Sequence, residues 1–169
     1  MTSVTSTSLQ ELIDRADARA LAAAGLACLD RCLPLLAPDG ADVLRPVWAA
    51  VARGDGGAWG EAVAKARVEL PGEARDAGAV RAMLDAAPAD WAGEPLRAWA
   101  RQCSEAALTV HAGLDANGPG PLHAGELRRQ QAVLEAAAHG PTGLRRARDL
   151  STEGGRVLRA VVSRRARTA

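Results

Sequence analysis

Nine consecutive residues, Leu21 to Leu29, carry no charge and no side chain more polar than a thiol. A helix through them has no wet side, so other elements must surround it. The stretch is about half of what a bilayer span needs, which places it inside a protein core and not in a membrane. The surrounding sequence decides between helix and strand. Alanine, the best helix former, occurs 39 times, β-branched residues are sparse apart from valine, and no strand alternation stands out. The fold class expected is all-α: a compact helical bundle with a short basic C-terminal helical subdomain.

Breakers and apolar periodicity divide the chain. A flexible N-terminus is expected over 1–8. The first helix is expected to open at Ser8, where Ser8 and Glu11 have capping-box spacing, and to run to about Pro34. Further helices are expected over about 42–53, 58–70 and 73–87. A fifth, started by Pro95, repeats Leu96, Trp99, Ala100, Cys103, Ala107, Val110 and Leu114 along one face. These make up a bundle over 9–115 with the fifth helix against Leu21–Leu29. With no Phe or Tyr in the chain, Trp48, Trp59, Trp91 and Trp99 are left to fill its larger gaps.

A Gly/Pro linker is read at 116–121, and beyond it an Arg-rich helical subdomain at 122–169. Its helices are expected over about 125–138, 144–150 and 153–167. The linker also divides the charge. Residues 122–169 hold ten arginines against four acids, a balance of +6, whereas the preceding residues carry −5, so a net charge of +1 conceals two opposed parts. The linker favours separation of the parts; their charges favour contact.

Residues 143–160 carry Ala147, Leu150 and Val157 at offsets where the two helices of a bacterial helix-turn-helix pack together. The stretch resembles that motif, with Ser151 at the turn position usually held by glycine and Gly154-Gly155 at the start of the second helix. The resemblance implies a regulator of double-stranded DNA, with arginines reaching phosphates or base edges in the major groove. The same arginines also fit a protein-binding face, since Arg156, Arg159, Arg164 and Arg167 lie opposite Val157, Leu158, Val161 and Val162. The candidate binding residues are therefore Arg145, Arg146, Arg148, Arg156, Arg159, Arg164 and Arg165.

Three cysteines are an odd number for a disulfide scaffold, and with no apolar secretory leader at the N-terminus they point to a reducing cytoplasm. Cys28 and Cys32 are one helical turn apart and with Cys103 offer three thiolates to a soft metal, but their spacing is not a usual zinc pattern and all three fall on apolar faces. Core packing is the expected role. His111, His123 and His139 form no His-x-x-x-His or Glu-x-x-His pattern, so His111 is read as a boundary histidine bonded to a backbone carbonyl. No phosphate loop or nucleophile elbow is present. The arginine-for-lysine and alanine bias is of the kind GC-rich bacterial genomes impose. The function expected is that of a non-enzymatic regulatory or accessory protein, without cofactor, acting through a protein partner or self-association. DNA regulation and a thiol or soft-metal site are the alternatives.

Overall fold

Helix α2 (Ala18–Cys32) runs through the middle of the molecule, and every residue from Ala20 to Leu29 is buried. The computed structural model describes residues 2–37, 42–70 and 78–168, and among these the chain is α-helical apart from one 3₁₀ helix (Leu33–Leu35), turns and one isolated bridge. Helices α6 (Gly93–Leu114), α7 (Pro121–Ala137) and α8 (Pro141–Thr168) pack along α2, while α3 (Arg45–Arg53) and α5 (Gly78–Asp85) also reach it. Helix α4 (Gly56–Glu69) packs outside them on α3 and α5.

The expected first helix is two helices. Helix α1 covers Thr2–Arg15, so the segment read as a flexible terminus is helical from Thr2, and Ser8 lies inside the helix instead of capping it. The chain breaks at Ala16, and Asp17 caps α2 by accepting a 2.9 Å hydrogen bond from the Ala20 amide. Arg97 of α6 steadies the break, donating to the Ile13 and Ala16 carbonyls at the end of α1. The start of the helix expected from residue 73 lies outside the described residues.

Tryptophans fill the large gaps, as an alanine-rich interior requires. Trp59 and Trp99 meet edge to face at 5.6 Å, with indole N–H groups donating to the Pro88 and Met83 carbonyls. Trp91 lies on the other side of Trp59 at 5.8 Å. Gly25 lets Trp99 lie across α2, since a Cβ there would come within 2.5 Å of the ring.

The Gly/Pro segment is a pinned turn. Asp115 accepts hydrogen bonds from the amides of Gly120, Leu122 and His123, fixing the start of α7, and Gly118 takes a positive φ. Burial alone would raise the Asp115 pKa, but these amides hold it below the ordinary carboxylate value. Beyond the turn, Leu127, Val133, Leu134, Leu144, Ala147 and Leu150 join the same hydrophobic core as α2 and α6. The basic region thus folds back on the acidic one.

The two helices expected at 144–150 and 153–167 are one. Helix α8 runs unbroken for 28 residues, about 42 Å. Ser151, expected in a turn, is fully buried mid-helix and donates its hydroxyl to the Ala147 carbonyl. The helix-turn-helix geometry is therefore absent from residues 143–160. Its glycines misled because glycine inside a helix can mark close packing as well as a break. A Cβ at Gly154 would lie 2.4 Å from Cδ of Arg31 on α2, and one at Gly143 would lie 1.7 Å from the Ala136 carbonyl oxygen.

Candidate functional site

Two clusters of polar side chains stand out, one closed and one open. In the closed one, Arg31 of α2 donates from Nε and Nη2 to Glu126 of α7, both at 2.7 Å, and neither side chain is exposed. Among the described residues no fully buried side-chain nitrogen or oxygen lacks a hydrogen-bond partner. Gln130 donates to Glu126 at 3.0 Å and to the Ser104 carbonyl, and accepts from the Ser104 hydroxyl. Arg31 also donates to Ser151 and to the Cys28 sulfur. His111 donates from Nδ1 to the Ala107 carbonyl at 2.7 Å and turns Nε2 toward Glu126 at 3.6 Å.

Burial alone would raise the Glu126 pKa, but the Arg31 charge and hydrogen bonds overcome it and hold the carboxyl below its ordinary value. For Arg31 burial works against the charge and Glu126 outweighs it, so the guanidinium stays ionised. The adjoining void measures only about 10 Å³, no more than one water needs. No substrate reaches this cluster. Its chemistry is structural, tying α2 to α7 across the interior.

Sequence reasoning missed the pair. Arg31 sits two residues beyond the all-apolar stretch, on a helix that must be surrounded, and that position was the available signal. The histidine reading was correct about the carbonyl, but His111 is only 2% exposed, deeper than a boundary position.

The three thiols are fully buried. Desolvation pushes Cys28 up to about 12 and raises Cys32 and Cys103 well above the ordinary thiol value, which is opposite to what a nucleophilic thiol needs. Among the described residues no group of three or more His, Cys, Asp or Glu side chains is placed to hold a metal ion.

The open cluster lies on α8. At 100° per residue, Arg145, Arg148, Arg156, Arg159 and Arg167 fall within about 100° of arc and form one stripe along the exposed side. Arg146 and Arg164 stand on its flank. Arg165 points to the other side, toward an apolar groove shared with Leu35, Val110, Leu114 and Val162. The stripe therefore gathers four of the seven expected binding arginines and adds Arg167. Leu158 and Val161 pack inward as expected, whereas Val157 is 37% exposed.

Beside the stripe is a cleft of about 250 Å³ between the end of α2, the start of α3 and the middle of α8. Arg148, Arg156 and Arg159 line one wall and Arg45 the opposite one. Asp30 is the carboxylate among them, accepting a 3.0 Å hydrogen bond from the Trp48 indole. Desolvation raises its pKa, against the pull of Trp48, Arg31, Arg148 and Arg159. Among the described residues the eight arginines of α8 make no ion pair within 4 Å, whereas Arg81, Arg97 and Arg101 do. Comparison of the chain with protein-family models, curated proteins and solved structures finds no match in any of the three. Among the described residues no helix is long and apolar enough to cross a membrane.

Proposed function

We propose that this protein is a non-enzymatic binding module that docks an acidic surface of a partner protein onto the arginine stripe of α8. The observation that carries the reading is the alignment of Arg145, Arg148, Arg156, Arg159 and Arg167 on one rigid helix, exposed and without ion-pair partners among the described residues. Elsewhere in the molecule arginines serve the fold: Arg67 binds the Leu84, Asp85 and Ala87 carbonyls at the end of α5, and Arg31 binds Glu126. The arginines of the stripe have no such task. Guanidinium groups on a fixed backbone suit carboxylates, which they meet in paired hydrogen bonds.

The charge pattern favours a protein over a nucleic-acid duplex. Asp149 and Glu153 follow the stripe along its outer edge, where a uniformly negative duplex would meet like charge. A protein surface can answer both signs. Co-purification with native protein and with Arg159→Glu tests the reading. Loss of an acidic partner with an unchanged far-UV helical signal is the expected result, and undiminished retention of that partner would contradict it.

A further inference from the structure

Gly154 and Gly155 are adjacent in the interior of α8, where glycine is less favourable than alanine. Packing explains only the first. At Gly154 a Cβ would strike the stem of Arg31, which the buried pair with Glu126 holds in place. At Gly155 the nearest atom to a Cβ is the Asp30 carbonyl oxygen at 3.8 Å, an ordinary contact. What a side chain at 155 would do is project into the arginine-lined cleft, whose floor Gly155 forms.

The charges around that floor converge. Arg148 and Arg159 are eleven residues apart, about 16 Å along the helix axis, and both line the cleft that holds the Asp30 carboxylate. Arg156 of α8 lines the same cleft, and Arg45 lines it from the start of α3. Four guanidiniums against one carboxylate leave an excess of three positive charges. The Asp30 carboxylate is held by the Trp48 indole.

We propose that this cleft is a binding site for a compact phosphate group, carried by a small phosphate ester or by a phosphorylated side chain. A tetrahedral dianion presents oxygens in every direction from which guanidiniums approach here, whereas one planar carboxylate engages fewer of them and neutralises less of the excess. The cleft is smaller than the usual range for drug-sized ligands, which suits a single phosphate and a short attachment. The site does not depend on the docking of an acidic protein, and Arg145 and Arg167 of the stripe lie outside its lining.

The test is calorimetric titration of the full chain with inorganic phosphate, glycerol 3-phosphate and a phosphoserine peptide in low-chloride buffer. Saturable one-site binding is expected, weakened at least tenfold by Gly155→Leu, which fills the floor, and by the pair Arg148→Gln/Arg159→Gln. The surface pair Arg146→Gln/Arg164→Gln removes as much charge outside the cleft and should leave affinity within about twofold. Equal affinity for the two esters assigns the site to a free ester; tenfold tighter binding of the peptide assigns it to a phosphorylated partner. If Gly155→Leu fails to fold, the arginine pair decides alone. Absence of saturable binding, or equal weakening by both arginine pairs, would overturn the proposal.

Discussion

Arg31 and Glu126, 95 residues apart in the chain, form a two-pronged ion pair with neither side chain exposed to solvent. Its polarity is the reverse of what the regional charges suggest. The arginine comes from the acidic part of the chain and the glutamate from the basic part. Contact between the two parts is therefore secured by one reversed pair inside a shared apolar core, while the surplus arginines of α8 remain outside.

Removing one partner leaves a buried charge without compensation. Glu126→Gln is expected to cost about 3–5 kcal/mol in urea unfolding, and Arg31→Met about as much. The double substitution Arg31→Met/Glu126→Leu should recover most of that loss, because two apolar side chains replace two mutually dependent charges. A cost below about 1 kcal/mol for Glu126→Gln would contradict the buried pairing.

The adjacent glycines of α8 should respond with opposite signs. Gly154→Ala forces a methyl group against Arg31 and is expected to destabilise by about 1–3 kcal/mol. Gly155→Ala meets only ordinary contact and should stabilise by about 0.5–1 kcal/mol through helix propensity. Thermal melts of the two variants check this directly. Equal effects would mean that Gly154 does not pack on the Arg31 stem.

Acid should act through Glu126. Its folded pKa lies below the ordinary glutamate value of 4.5, so the folded state favours the ionised form. The resulting stability is fully present above about pH 4.5 and is lost as pH falls through the folded pKa. Urea midpoints measured downward from pH 6 should decline below that point, and Glu126→Gln should remove part of the slope. An unchanged slope in the variant would assign acid sensitivity to other groups.

Much of the architecture was legible in the sequence, for identifiable reasons. Leu21–Leu29 has no polar side and lies at the centre of the fold; α6 follows its apolar repeat through Leu96, Trp99, Cys103 and Ala107. Errors arose where one residue type serves two purposes. Gly154 resembled a helix breaker because its reason, the stem of Arg31, lies more than a hundred residues away in the chain. The helix expected from Ser8 to about Pro34 runs through Asp17, whose carboxylate instead caps a new helix. The arginine surface was visible as composition, whereas its alignment into one stripe depended on α8 being continuous. The cleft was not legible, because Arg45 and Asp30 reach it from other helices.

The thiols should be inert in the folded protein. Desolvation raises all three above the ordinary thiol value, and each lies in the interior. Labelling with a thiol-reactive disulfide reagent should proceed at the rate of unfolding, with Cys28, Cys32 and Cys103 becoming reactive together. Rapid native labelling of Cys28 or Cys103 would contradict the packing around Arg31 and α6.

The arginine stripe is tested most directly by measuring binding of the full chain to its co-purified acidic partner and to mixed-sequence double-stranded DNA at near-physiological salt. Native protein should hold the partner, and Arg145→Glu/Arg156→Glu should weaken that complex at least tenfold with the helical signal intact. DNA should bind only weakly and without sequence preference, with an affinity that falls steeply as salt rises. Tight, sequence-selective DNA binding, together with partner affinity that survives the charge reversal, would contradict a protein-docking role for α8.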